Sequence, residues 1–245
     1  MRISRTIGRF SLDRTMIGLL LLGAVLLGAR AWLEDNPQHN PWAPLSLDDA
    51  PGWATQRKLA ALRDDPAECR AVLERSGVAF RTLDPSGEGE CRREDRIVLS
   101  EAPLSPRQPV STCAVAAGVE LWLGQSVQPA AEELLGSPVA RVEHFGTFSC
   151  RRIYGRESGN WSEHSTGNAI DIAGFVLENG QRISVRRDWG SSERDEASEE
   201  SVFLHRVRDA ACGVFGTVLS PDYNAAHADH FHLDQEARGF GSVCR

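Results

Sequence analysis

Ser162-Glu-His-Ser-Thr-Gly-Asn-Ala-Ile-Asp171 is the stretch on which the reading of this chain turns. A polar loop carries His164 into an apolar, strand-like run, Ala169–Leu177, whose third residue is Asp171. Farther on comes His227-Ala-Asp-His230-Phe-His232, so four of the seven histidines fall in two short clusters. A mononuclear catalytic zinc takes three protein ligands, imidazoles with or without a carboxylate, and keeps a position open for water. His164 and Asp171 are candidates for two of them, one from a loop and one from the strand it enters. His230 and His232, two apart in the strand-like His230–Leu233, point to one face. One of them can bind the metal while the other stands beside it as base or transition-state donor. Each piece alone is common; their combination carries the reading.

Around these clusters the pattern is α+β, with the sheet in the C-terminal half. Val139–Phe145, Thr147–Arg151, Ala169–Leu177 and Arg182–Val185 read as strands, and Glu178-Asn179-Gly180 marks a hairpin turn. Upstream, Trp53–Leu62 and Pro66–Arg75 read as helices, and Val78–Leu83 and Arg96–Leu99 as short strands. A helix capped by Ser111 or Thr112 runs to about Leu123, and Pro129–Leu135 is another, ending at Gly136. Glu200–Phe215 returns to helical spacing, with Val202, Phe203, Val207 and Val214 as core candidates. Ser191–Glu200, with five acids and one Arg, reads as a solvated loop, with a lid over substrate as the alternative. His144 and His205 are given structural places, and His39 lies in a linker. The expected fold is a small antiparallel sheet carrying the zinc site, flanked by helices, behind one N-terminal membrane-spanning or signal helix.

Charge narrows the function. The net charge is −7, yet residues 1–31 carry five Arg and one Asp, which leaves −11 on the remainder. An acidic body of this kind excludes non-specific nucleic-acid binding, which requires Lys and Arg to neutralise phosphates. Neither a Gly-rich phosphate loop nor a dinucleotide fingerprint is present.

The N-terminus sets the compartment. Arg2, Arg5, Arg9 and Arg14 precede an apolar run from Met16 to Ala29. Extended from Thr15 to Leu33, a helix nearly spans the roughly 30 Å hydrocarbon core, with Arg30 snorkelling beside Trp32. Two readings of residues 1–33 stand open: a signal anchor, or a signal peptide cleaved at the small-x-small site Ala29-Arg30-Ala31. Both export the body, because the Arg-rich side stays in the cytoplasm. Residues 34–52 contain Pro37, Pro41, Pro44 and Pro51 and read as a linker lifting the body, 53–245, off the membrane. Six widely spaced cysteines agree with export and with three disulfides. The expected pairing joins nearest neighbours: Cys69–Cys91, Cys113–Cys150 and Cys212–Cys244.

Ser162-x-His164-x-x-Gly167-x-Ala169-x-Asp171 resembles the S-x-H-x-x-G-x-A-x-D signature of D-Ala-D-Ala carboxypeptidases and dipeptidases. The H-x-x-H-F-H run at 227–232 is similar to the matching segment of penicillin-insensitive murein endopeptidases, which share their zinc fold with lysostaphin-type enzymes and hedgehog proteins. Thr112-Cys113-Ala114-Val115-Ala116, Ser149-Cys150-Arg151, Pro221-Asp222-Tyr223-Asn224 and Cys244-Arg245 resemble the bacterial extensin-like C-terminal domain family, over about Cys69 to Arg245. The metallopeptidase-like core within it covers about 110–245. Nothing here has the Ser-Pro repeats of plant extensins.

The resemblance implies His164, Asp171 and His232 as zinc ligands and His230 as the histidine assisting the zinc-bound water. Ser162 is implied at the substrate-side loop in a structural part, and Gly167 as the residue that shapes it. Arg151 stands where the peptidases carry an Arg that steadies substrate or oxyanion, with Arg152 as a weaker substitute. The carboxypeptidase branch carries an acidic base three residues before its last ligand; here the role passes to histidine, His227 or His230. The implied partners are peptidoglycan peptides on the outer side of the inner membrane. A binding module that keeps the fold without hydrolysis is the rival reading. A serine hydrolase is disfavoured by the absence of a G-x-S-x-G elbow, and a cysteine hydrolase by the cysteines reading as disulfide partners.

Overall fold

The computed structural model describes residues 4–190, 198–238 and 242–245, with residues 4–13 described by backbone alone. Helix α1 (Ser4–Asp35) contains an apolar stretch, Arg14–Asp35, that is long enough to cross a membrane and is wholly unburied. Beyond it the Pro-rich 34–52 segment is docked rather than extended. Leu45 and Leu47 pack on the core, Leu47 N–H donates to Ser76 Oγ (3.3 Å), and its carbonyl accepts from Gln125 Nε2 (3.2 Å). Burying one such leucine stabilises by about 1.5–3 kcal/mol, enough to hold a chain that proline has already stiffened.

Helices α2 (Thr55–Ala61) and α3 (Pro66–Arg75) follow. Asp65 caps α3 by accepting from Glu68 N–H, Pro66 opens it, and Gly77 ends it at φ 68°. Strands β1 (Phe80–Thr82) and β2 (Ile97–Leu99) pair with each other in a separate antiparallel ribbon. After β3 (Leu104–Ser105), Thr112 caps α4 (Cys113–Trp122), which continues through a π turn at Leu123–Val127 into α5 (Gln128–Leu135).

The main sheet is seven-stranded and mixed, larger than the small antiparallel sheet expected. Its order is β3, β4 (Val139–Gly146), β5 (Ala169–Leu177), β8 (Phe231–Asp234), β7 (Thr217–Leu219), β9 (Val243–Cys244), with β6 (Arg182–Ser184) also on β5. The central pairs are antiparallel, and the outer pairs β3–β4 and β7–β9 are parallel. Strand β5 shares one edge between β8, over 169–172, and β6, over 174–176. Gly174 permits this crowding, since a Cβ there would stand 2.4 Å from the Ile183 carbonyl oxygen. A short α6 (Val185–Asp188) and α7 (Glu199–Ala211), capped by Ser198, complete the fold.

One face of the sheet is sealed. Ile170, Ile172, Phe231 and Leu233 enter the core with Trp122, Phe203 and Phe215. The Trp122 indole N–H donates to the Val207 carbonyl (2.8 Å), so its one polar atom is satisfied in the interior. By the two-residue period of a strand, Asp171, His232 and Asp234 emerge on the opposite face.

Several expectations are corrected. Residues 147–151 leave the sheet after Gly146 (φ 121°) and run as irregular chain held by the Cys91–Cys150 disulfide. Cystine pairing is Cys69–Cys113, Cys91–Cys150 and Cys212–Cys244, so only the last nearest-neighbour pair forms. Packing of α3 on α4 brings Cys69 to Cys113 ahead of its sequence neighbour. Val202 is 37% exposed, whereas Phe203, Val207 and Val214 are buried. Residues 191–197 of the acidic stretch lie outside the described residues.

Candidate metal centre and cleft

The loop before β5 is built to aim one imidazole. The Ser162 hydroxyl accepts from His164 N–H and opens a single turn, Glu163–Ser165. Gly167 takes φ 77°, and its carbonyl accepts from Thr112 N–H (3.0 Å). Asn168, almost fully buried, accepts from Thr112 Oγ1 (3.0 Å) and donates to Glu163 Oε2 (2.6 Å). The result is a loop fixed at both ends.

His164 directs Nδ1 at the Thr147 carbonyl, 3.1 Å away. A carbonyl only accepts, so Nδ1 carries the proton and Nε2 is left with a bare lone pair. His232 is the mirror case: its Nε2 lies 3.0 Å from Asp234 Oδ2, which draws the proton to Nε2 and bares Nδ1. Register does the rest, placing Asp171 directly opposite His232 across β5–β8. His164 Nε2, His232 Nδ1 and Asp171 Oδ1 form a triangle with all three sides 3.1 Å. Zinc bonds of about 2.0 Å in tetrahedral array require donor–donor edges of about 3.3 Å, so two neutral imidazoles and a carboxylate at this spacing fit the ion. Without a cation a proton must bridge them. Burial pushes the Asp171 carboxyl up, but hydrogen bonds and charge from His164 and His232 outweigh it and hold the group well below the usual carboxylate range. Burial pushes His232 down, and its bonds to Asp171 and Asp234 reverse that and raise it to about 9.

The triangle opens on a cleft of about 460 Å³ whose lining includes Arg151, Ser162, His227 and His230. His230 Nδ1 donates to Asp229 Oδ1 (2.8 Å), leaving Nε2 3.6 Å from Asp171 Oδ1. Phe145 meets its ring edge-on at 5.7 Å. Asp229 is the acid that stands three residues before His232, the position from which the sequence reading moved the base's role to histidine. Asp229 lines a separate hollow with Phe145 and Ala173 rather than the cleft, and its Oδ1 accepts from His230 Nδ1.

His227 is buried, with its ring 5.2 Å from that of His230. Its Nδ1 lies 2.9 Å from Asn224 Oδ1, which also accepts from Ala226 N–H, while Asn224 Nδ2 donates to the Tyr154 hydroxyl (2.9 Å). These bonds orient the amide and place the His227 proton on Nδ1. Burial first, and then the neighbouring His230 and His232, push His227 down to about 4, so it is neutral at pH 7. Tyr154 has φ 57°, the one non-glycine with positive φ among the described residues, a conformation that costs about 1–3 kcal/mol.

Arg151 faces the cleft with its Nε donating to Ser149 Oγ (3.2 Å). Arg152 does not line it: its guanidinium stacks on Trp161 and bonds the Gly159 carbonyl. His144 bonds the Arg107 carbonyl and His205 packs against the Trp189 ring at 3.8 Å, tilted by 34°, both structural places. Sequence reasoning missed Asp234, Asn224 and Tyr154. Asp234 was within reach, because a residue two beyond His232 shares its face; Tyr154 and Asn224 meet only through the fold.

The chain finds no match among curated proteins or solved structures. Residues 67–245 match the family model described as extensin-like protein C-terminus, most of the chain. This chain belongs to the extensin-like C-terminal family.

Proposed function

We propose that the protein is an exported, zinc-dependent peptidase acting on the peptide stems or cross-links of peptidoglycan. One observation carries the reading: three donor atoms, His164 Nε2, His232 Nδ1 and Asp171 Oδ1, each pair 3.1 Å apart, face a cleft that also holds two further histidines and Arg151. His164, Asp171 and His232 hold the ion, with Thr147 and Asp234 fixing the two imidazoles from behind. When bound, zinc supplies Lewis acidity that makes water a nucleophile near neutral pH and polarises the scissile carbonyl. His230 Nε2 takes the water's proton and returns it to the leaving amine, with Asp229 steadying the imidazolium. Arg151 stabilises the negative charge that develops on the carbonyl oxygen. The unburied apolar helix and three disulfides support a site outside the cytoplasm, with α1 in the inner membrane.

The test is digestion of purified muropeptides by the metal-loaded protein, with and without chelator. Zinc-dependent release of amino acids or stem fragments is expected. Tight muropeptide binding with no hydrolysis under any metal loading would instead make this a wall-binding module.

A further inference from the structure

Helix α1 does not hand over to a free tether. Asn36 Nδ2 donates to the Trp32 carbonyl (2.8 Å) and Asn40 Nδ2 to the Leu33 carbonyl (3.4 Å), so side chains satisfy carbonyls at the end of the apolar stretch. The chain then folds back. The Trp32 ring stacks on His39 at 5.3 Å, and His39 on Trp53 at 6.1 Å. Trp53 N–H donates to His39 Nδ1 (3.3 Å), and Lys58 Nζ donates to the Pro37 carbonyl (2.7 Å). Trp42 N–H donates to Asn40 Oδ1 (3.0 Å), the same Asn40 that bonds the helix end. With Leu47 anchored in the core, the body is fixed to the helix.

Half of the chain's six tryptophans are gathered at this junction. Trp32, Trp42 and Trp53 are 49%, 84% and 63% exposed. Indole, with a large apolar body and one N–H donor, partitions to the headgroup level of a bilayer. Trp32 lies on the apolar helix, Trp53 stacks on the same His39 as Trp32, and Trp42 follows Asn40, which bonds the helix end. No residue of the apolar stretch is buried, and hydrocarbon is a cover that suits it.

We propose that Trp32, Trp42 and Trp53 form a collar that seats the body on the phospholipid headgroup layer of the membrane that α1 enters. The inference rests on the anchored reading of α1. Its consequence is that the cleft is carried at a fixed height and attitude above the bilayer, not on a swinging tether.

The experiment reconstitutes the full chain in phosphatidylcholine vesicles and follows tryptophan emission. Lipids brominated near the top of the acyl chain should quench the wild type strongly. The W42F/W53F double variant, which keeps apolar rings at both sites, should lose about two-thirds of the quenchable emission, since it removes two of the three collar indoles. Acrylamide from the aqueous side should reach Trp42 poorly. Vesicle flotation separates the two readings under test. A chain that does not float overturns the anchored reading and the collar with it. A chain that floats while Trp42 and Trp53 respond to acrylamide alone overturns the collar and leaves the anchor standing. Protection from acrylamide that disappears on diluting protein into excess lipid assigns the rings to a second copy, and also overturns the proposal.

Discussion

Asp229 Oδ1 accepts a hydrogen bond from His230 Nδ1 at 2.8 Å, and Nε2 of that ring points toward Asp171. A carboxylate and an imidazole adjacent in sequence thus form an oriented pair. His230→Ala should keep zinc and the fold but lose about 10²–10⁴-fold in muropeptide hydrolysis. Asp229→Ala should lose less, since the imidazole remains but is no longer oriented. Rates and zinc content of both variants check this. A dead His227→Ala beside an active His230→Ala would transfer the role of base to His227.

The donor triangle should bind close to one zinc per chain, and metal analysis of His164→Ala, Asp171→Ala and His232→Ala should each find it lost. Asp234→Ala removes only the acceptor behind His232, and should weaken zinc binding about 10–100-fold. Zinc added to the metal-free protein at pH 7 should release a proton, because His232, raised to about 9, holds one there.

Metal-free protein should respond to pH in a defined direction. His232 is raised to about 9 from an ordinary 6.5, so its contribution to stability is complete below pH 6.5 and is lost as pH rises toward 9. Asp171 is lowered, so its contribution is present at neutral pH and is lost as pH falls through the acid range. Thermal unfolding of chelator-treated protein should therefore show Tm falling between pH 6.5 and 9. Asp171→Asn should flatten that slope, and zinc loading should remove most of it.

Asn224 joins the strained Tyr154 to His227. Asn224→Ala should release the His227 proton from Nδ1, a tautomer change visible in the nitrogen chemical shifts of labelled histidine. Tyr154→Phe should produce the same change in weaker form, because Ala226 N–H still holds the Asn224 oxygen. An unchanged tautomer in Asn224→Ala would show that the bond does not orient the ring.

Peptide mapping without reduction should recover Cys69–Cys113 and Cys91–Cys150 as linked fragments. Losing Cys91–Cys150 through Cys91→Ser/Cys150→Ser should cost about 2–4 kcal/mol and loosen the chain that carries Arg151. Recovery of Cys69 linked to Cys91 would contradict the fold around α3.

Much of this molecule is local in origin. Helix α3 is bounded by Asp65, Pro66 and Gly77, and β5 by a polar loop and an Asn-Gly turn, so both were legible from capping and period alone. The candidate ligands His164 and Asp171 came with them, because a loop and the strand it enters are neighbours in sequence. The N-terminal apolar helix and the even, spaced cysteines that form three disulfides were equally legible, since hydropathy and composition need no fold to be read. Other features needed the tertiary structure. The two-residue strands β3 and β9 exist only through their partners, β4 and β7. Which cysteines join was set by α3 packing on α4, a contact that no spacing encodes. The orientations of the His164 and His232 rings were set by Thr147 and Asp234, and register across β5–β8 brought Asp171 to His232. Sequence chose the groups that can hold a cation. Only packing, by fixing both rings from behind and setting the register of β5 on β8, turned three donor atoms toward one point.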